Sequence, residues 1–447
     1  MLPEPVRQAI LWAGDAIFGP WTTAILLGTG LFLSIRLRFV QVTRFREALR
    51  SMRPAETGAA SGPLSAFQAF MTALGASIGT GNIAGVATAV VSGGPGAVFW
   101  IWCYGFFATA IKFTEAVLGL RFRQVIEDRV SAGPMHYLRE GLKAPRLAWT
   151  YALIAGVAAL TTTPFTQPNS IAVVWQSQFG IRTWVSGVVI AVLAWLVIIG
   201  GIKSIGRAAE RLSPLKVGLY LVGGLVVIAT HFREVPGVLA LIFREAFSTR
   251  AGMGAATGMA VMVGMRYGLA RGIYANEAGY GTAAVVYGTA RSKEPLQQGL
   301  NAVMEVFIVS FVTSSISALT ILVSGVWRLG QTSTAVVAQA FDTAIPTVGG
   351  WIVAFCAFLF GYTTLIGWAY YGEQFLEYIF GKRVVLPYRW VYCGLIVFGA
   401  VGKVDTVWAW GDLMNGLQIF PNLVGVLGLS GLAAETLRGR REAPPGA

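Results

Sequence analysis

Charge is what this sequence has least of. Asp, Glu, Lys and Arg make up 12% of its 447 residues, against roughly 25% in a soluble domain. That is too little to cover a water-facing surface of this size, so lipid must cover much of it. A mean hydropathy of +0.64 agrees. Histidine is scarce as well. His136 and His231 fall in predicted loops far apart in the chain, which argues against a histidine metal site. No nucleophile–base pair stands out either, so a membrane enzyme is not expected. The three cysteines, Cys103, Cys356 and Cys393, lie inside apolar runs without a CxxC spacing, and no disulfide framework is expected. The opening residues Met1-Leu2-Pro3-Glu4, with Arg7 the only base before Arg36, do not read as a signal peptide.

The charge that is present sums to +13. A basic balance can signal nucleic acid. Here the bases form short clusters between long apolar runs, the pattern of loops at a membrane surface, so no nucleic-acid partner is expected. Eleven transmembrane spans are read. The first is near 17–35, and ten core segments follow near 64–91, 96–120, 147–177, 183–201, 214–231, 252–288, 300–326, 345–379, 388–402 and 411–433. Each is judged against the roughly 20 apolar residues a helix needs to cross. Loops on one side then carry twenty-four Lys and Arg, including Lys203, Arg207, Arg211 and Lys216, and loops on the other carry seven. The positive-inside rule makes the rich side cytoplasmic. The N-terminus is then outside and the C-terminus cytoplasmic, in a bacterial-type inner (plasma) membrane.

In this layout core helices 1–5 begin inside and core helices 6–10 begin outside, as an inverted repeat requires. The expected fold is an all-α integral membrane protein. An N-terminal helix and basic linker occupy 1–63, the first five-helix repeat 64–231, the second inverted repeat 232–433 and a cytoplasmic tail 434–447.

The first helix of each half is rich in glycine. Core helix 1 reads Gly75-Ala76-Ser77-Ile78-Gly79-Thr80-Gly81-Asn82-Ile83-Ala84-Gly85, and core helix 6 contains Gly252, Gly254, Gly258, Gly264, Gly268 and Gly272. Glycine costs about 1 kcal/mol against alanine in a helix interior. Interruptions at matching positions of two repeats point to a transport site, where freed amides hold a carboxylate and freed carbonyls a cation. The same glycines also suit close helix packing with no break at all. Polar residues inside spans add candidates. Gln167 and Asn169 sit beside Pro164 and Pro168 in core helix 3, and Thr363 and Thr364 precede Trp368 in core helix 8. Threonine oxygens suit a hard cation such as sodium, or else bond their own helix backbone. Lys112, Glu115, Arg266, Arg271, Glu277, Glu305 and Glu373 are charged within spans, each costing at least about 2.5 kcal/mol at mid-membrane unless paired or wet. Lys112 and Glu115, three apart on one helix, are placed to pair. Arg271 and Glu277 are candidates for a cytoplasmic gate.

These residues resemble the alanine/glycine:cation symporter family, within the amino acid–polyamine–organocation superfamily. The resemblance is carried by Gly93-Gly94-Pro95-Gly96-Ala97-Val98-Phe99-Trp100-Ile101-Trp102, with Ile101 where methionine is usual, and by Gly79-Thr80-Gly81-Asn82-Ile83-Ala84-Gly85-Val86-Ala87-Thr88. Ala132-Gly133-Pro134-Met135, Arg271-Gly272 with Asn276-Glu277-Ala278-Gly279, and Gly367-Trp368-Ala369-Tyr370-Tyr371-Gly372-Glu373 follow in the same order. The resemblance implies a leucine-transporter-type fold with broken core helices 1 and 6, and uptake of alanine or glycine with sodium. It implies a substrate site at Thr80, Gly81, Asn82, Gln167 and Trp368, with Thr257, Gly258 and Gly264 added by their depth in core helix 6. It implies sodium held by Gly75, Ile78, Thr363 and Thr364. No cofactor beyond the coupling ion is expected.

Two departures stand out: Thr282-Ala283-Ala284 replaces Ser-Ala-Pro, and Val309 replaces an aspartate in core helix 7. Glu305, one turn earlier on the same face, is expected to supply the missing charge, unless it lies near the helix end and reaches water or Lys293. The alternatives to a sodium symporter are a proton-coupled carrier of the same substrates and a substrate-gated channel or sensor.

Overall fold

The computed structural model describes residues 3–17, 19–52, 62–126, 129–247, 256–331 and 333–439, without the side chains of 20 and 256–262. The described residues of the anticipated segments are mostly helical. Among the described residues, seven helices are long and apolar enough to cross a membrane, and two bent pairs raise the number to nine. Thr183–Ile198 is apolar but only 16 residues long, and Ala256–Asn276 carries Arg266 and Arg271. Trp184, Val192, Leu196, Trp390 and Phe398 are exposed along the outside of the bundle, as lipid-facing helices require.

Several boundaries differ from the expectation. The N-terminal helical segment begins at Glu4, as Glu4–Ile17 followed by Pro20–Arg36. Core helix 5 runs over Gly201–Thr230, with Pro214 inside it. Lys203, Arg207 and Arg211 ride exposed on its first turns, which is why they read as a loop. Lys216, counted with them as a loop base, is fully buried in the same helix. The all-α expectation also needs one correction. Gln124–Ile126 and Arg129–Ser131 form a short antiparallel ribbon between core helices 2 and 3.

Core helix 1 starts at a capping box, Ser65 with Gln68, and its first half is Ala66–Ser77. The chain then opens at Ile78 and Gly79, makes one 3-10 turn over Thr80–Asn82 and resumes as Ala84–Gly93. The two halves are bent by 55°. In core helix 6 the first half is Ala256–Asn276 and the second Thr282–Gly288. The turn between them needs left-handed backbone at Glu277 (φ 58°), Gly279 (94°) and Gly281 (84°), which glycine adopts without strain.

This break lies beyond the glycines that were expected to make it. Gly252 and Gly254 fall outside the described residues. Gly264, Gly268 and Gly272 stay helical and press against the chain that leads into and forms core helix 2, Ala97–Arg121; a Cβ at Gly264 would stand 2.9 Å from the Gly93 carbonyl oxygen. Their role is the close packing that small residues allow. Core helix 7, Pro295–Val323, carries a π-helical turn at Ile308–Thr313, a bulge that leaves backbone carbonyls available to neighbours.

Candidate substrate and cation site

Breaking two helices in an apolar interior creates orphan backbone groups: carbonyls where the first halves end and amides where the second halves begin. Each end has found a partner. At the end of Ala66–Ser77, the Lys216 Nζ donates to the carbonyls of Gly75 (2.9 Å) and Ile78 (2.6 Å) and to Thr363 Oγ1 (2.6 Å). At the end of Ala256–Asn276, the Lys112 Nζ donates to the Asn276 carbonyl (2.5 Å) and to Ser77 Oγ (2.8 Å). At the start of the second half of core helix 1, Gln167 Oε1 accepts both the N–H and the hydroxyl of Thr80, each at 2.9 Å. At the break in core helix 6, Glu115 Oε1 accepts the N–H groups of Gly279 (3.0 Å) and Gly281 (3.1 Å) and the Asn422 amide (2.7 Å). Cations therefore face carbonyl ends and oxygens face amide ends, the sense that the helix dipole favours.

Between the breaks lies a cavity of about 10 Å³, the scale of a single water. Gly79, Gly81, Gln167, Tyr274, Glu277, Tyr280, Thr364, Trp368 and Asn415 line it. Glu277 is held from both sides, by Trp368 Nε1 at 2.6 Å and by the Thr282 hydroxyl at 2.9 Å. Tyr274 is fixed by its hydroxyl on Thr166 Oγ1 at 2.6 Å and by its ring against Trp408, 4.9 Å between centroids. Arg271 lies over the Trp408 ring, 5.0 Å from its centroid, and pairs with Asp412.

Of the anticipated substrate residues, Gly81, Gln167 and Trp368 line the cavity, and Thr80 joins it through Gln167. Asn82 turns away, donating from Nδ2 to the Val309 carbonyl (3.2 Å) and Ser314 Oγ (3.1 Å) at the π-turn. Gly264 faces Gly93 and the start of core helix 2, away from the cavity. The Thr257 side chain and the surroundings of Gly258 lie outside what the structure describes. Of the anticipated cation residues, Gly75, Ile78 and Thr363 converge on Lys216, while Thr364 donates to the Ala76 carbonyl at 2.7 Å.

Arg271 and Glu277, anticipated together as gate residues, take different partners. Glu277 is in the cavity wall. Arg271 sits at core helix 10, Val404–Gly428, towards the end where Asp405 meets Arg7 at 2.6 Å, the side poor in basic residues. Lys112 does not pair with Glu115. It pairs with Glu305 at 2.6 Å, both buried, and Glu305 also accepts from Ser77 (2.5 Å) and Tyr287 (2.8 Å). Glu305 therefore reaches neither water nor Lys293. Glu373 is bound by Arg389 through two hydrogen bonds, at 2.8 and 2.9 Å.

Tyr274, Tyr280, Asn415 and Lys216 escaped the sequence reading. Tyrosine in a membrane helix carries no signal of its own, and Lys216 was hidden behind three real surface bases. Its only mark was its place at the head of an apolar run, Val217 to Val227.

Residues 4–443 match the sequence pattern of the sodium:alanine symporter family. The sodium/alanine symporter AgcS of Methanococcus maripaludis is 37% identical over 438 residues, 95% of this chain and 95% of that protein. A sodium/proton-dependent alanine carrier protein of Bacillus sp. (strain PS3) is 32% identical over 384 residues, 81% of this chain and 85% of that protein. Among solved structures, a manganese transporter of Eremococcus coleocola superposes with a TM-score of 0.55 at 15% identity, over 83% of this chain and 78% of that one, a likeness of fold alone. The match over nearly the whole chain, together with the many membrane-length apolar helices among its own described residues, places this multi-pass transporter, which is not an enzyme, in the sodium:alanine symporter family.

Proposed function

We propose that the chain imports a small neutral amino acid, alanine or glycine, by alternating access, coupled to the inward movement of a cation. One observation carries this reading: two broken helices meet around a small cavity, at whose wall the Thr80 amide and hydroxyl already hold an oxygen, that of Gln167. A substrate carboxylate accepts the same two hydrogen bonds once the Gln167 amide swings aside. Glu277, across the cavity, supplies the countercharge for the substrate ammonium. Gly81 and Trp368 set the size of the site. Asn82 supports it from behind, through the π-turn of core helix 7. Arg271 with Asp412 closes the outer side, and the Lys112–Glu305 pair ties the two breaks together beneath it.

The architecture proposed around this site keeps eleven spans, with the N-terminal helix followed by two inverted five-helix repeats over 64–231 and 232–433. The position of the two broken helices, each first in its half, supports it. Moving Lys216 from loop to helix leaves the charge asymmetry intact, so the N-terminus stays outside and the C-terminus cytoplasmic.

Sodium is the ion the family points to, and the oxygens of Gly75, Ile78, Thr363 and Thr364 are where the resemblance would seat it. A coupling ion gains about 2.3 kcal/mol per 100 mV, and a tenfold gradient adds about 1.4 kcal/mol, enough for accumulation of several hundredfold. A proton-coupled carrier of the same substrates is the second reading. It is favoured by the ammonium of Lys216, which already holds most of that oxygen set.

Purified protein in liposomes tests the function. Labelled alanine or glycine is expected to show counterflow, and an inward cation gradient is expected to drive accumulation, with parallel sodium and proton gradients identifying the ion. Absence of counterflow for both amino acids would leave a channel or sensor instead. The cavity is also expected to rank substrates by size. Leucine should compete with alanine at least tenfold more weakly, since each extra buried methylene in a tight pocket is worth about 1–3 kcal/mol of discrimination. Equal competition by leucine in a binding assay would contradict the small-substrate reading.

A further inference from the structure

We infer that Lys216 is the resident cation of this protein's cation site, so that its ammonium replaces sodium there and the Gly75–Ile78–Thr363 oxygens bind no sodium ion. The inference rests on the reading of those oxygens as the cation position of a transporter. It departs from the ion that the family leads one to expect there.

The geometry is that of a filled site. An ammonium has three donors and no acceptor, and Lys216 spends them on three oxygens at 2.6 to 2.9 Å: Gly75 O, Ile78 O and Thr363 Oγ1. Two of these are backbone carbonyls at the negative end of the half-helix Ala66–Ser77, where a positive charge is stabilised. Thr363 keeps its own proton on the Leu359 carbonyl at 2.9 Å, leaving its oxygen to accept. The face of the Phe360 ring lies 5.2 Å from the ammonium, a further favourable contact for a cation. No carboxylate forms an ion pair with Lys216 among the described residues, so the oxygens are its only strong partners.

The backbone is shaped to let the lysine in. Ser213, one turn earlier on core helix 5, donates to the Met71 carbonyl at 2.9 Å, which docks that helix on the first half of core helix 1. A Cβ at Gly75 would stand 2.7 Å from Ser213 Oγ, so the approach depends on glycine. A hard metal ion needs the same lone pairs at shorter range. An ammonium on the oxygens and a sodium among them exclude each other by volume and by charge. Core helices 1, 5 and 8 are thus joined by a covalently tethered cation whose presence does not depend on the sodium concentration.

Substitution of the lysine tests this at fixed pH. In nanodiscs, alanine binding to the unaltered protein is expected to change less than twofold when choline chloride replaces sodium chloride. Lys216→Ala opens the oxygens and removes the charge. Its alanine binding is expected to become at least tenfold weaker in choline than in sodium, and it should gain a bound ²²Na⁺. Lys216→Met fills the same space without charge and should gain no ²²Na⁺. Thr363→Ala, with Lys216 intact, is expected to leave any sodium affinity of the protein unchanged.

A tenfold sodium dependence of alanine binding in the unaltered protein would overturn the inference. So would a tenfold loss of sodium affinity in Thr363→Ala, or a folded Lys216→Ala protein that gains no ²²Na⁺. The Thr363→Ala comparison stands even if Lys216→Ala fails to fold. Sodium binding is read without any amino acid present, so a failure of alanine to bind would count against the substrate reading alone.

Discussion

Glu305→Gln is expected to destabilise the folded protein by about 3–5 kcal/mol, the usual cost of stranding one member of a buried ion pair. Lys112 and Glu305 are 1% and 0% exposed and stand 2.6 Å apart. With the carboxylate gone, the Lys112 ammonium loses its directly paired anion and is left hydrogen-bonded to neutral oxygens, those of the Asn276 carbonyl, Ser77 Oγ and the new amide. Tyr287 loses its charged acceptor in the same step. Replacing both members tells a different story. Lys112→Met with Glu305→Leu removes the two charges together, and a buried pair exchanged for apolar side chains is often neutral in stability. The double variant is therefore expected to recover most of the loss in a double-mutant cycle of denaturant or thermal unfolding in detergent. Transport is not expected to recover with it, because the pair links Ser77 at the first break to Asn276 at the second. Single variants that each cost less than about 1 kcal/mol would mean that the pair is solvated and idle.

The case of Lys112 shows where sequence reading stops. Helical spacing offered Glu115 as its partner, three residues on, and the structure gives it Glu305 from another helix. The i,i+3 rule describes neighbours on an exposed surface. In a buried interior the helix dipoles and the orphan ends of the breaks decide instead, and these depend on tertiary contacts that no window along the chain contains. Glu115 is drawn to the amides of Gly279 and Gly281 and Lys112 to the carbonyl of Asn276.

The break in core helix 1 was legible because Gly79, Thr80, Gly81 and Asn82 put two glycines and two polar side chains into one turn of an apolar run. The break in core helix 6 was displaced because its densest glycines serve packing. The turn itself uses only Gly279 and Gly281, with Glu277 forced to a left-handed conformation. Helices were legible almost throughout, since apolar runs in lipid have little other way to satisfy their backbone. Lys216 was lost for the opposite reason: core helix 5 runs unbroken from Gly201 through its bases, so charge density marked a loop where helix continues.

Gly81→Ala is expected to weaken alanine binding about a hundredfold while leaving the protein folded. The 3-10 turn Thr80–Asn82 places Gly81 against Tyr274, and a Cβ there would stand 2.8 Å from Cδ1 and 3.2 Å from Cε1 of the ring. The ring has little freedom to retreat. Its hydroxyl is bonded to Thr166 at 2.6 Å and it packs at a tilt against Trp408, 4.9 Å between ring centroids. The added methyl must then tilt the turn, and overpacking of this kind costs about 1–3 kcal/mol. The tilt also moves the Thr80 N–H and hydroxyl, and a hydrogen bond to a charged group is worth about 1.5–3 kcal/mol. The two effects act on one turn and do not simply add, so a loss of about 2.7 kcal/mol, or a hundredfold, is the expected scale. Gly28→Ala is the matched control. Gly28 lies in the helix Pro20–Arg36 with nothing within 4 Å of an added Cβ, so binding should be unchanged. Isothermal titration or radioligand competition with alanine reads both variants. If Gly81→Ala binds alanine as tightly as the Gly28→Ala control, the substrate carboxylate does not rest on this turn, and the proposed site between the two broken helices is wrong.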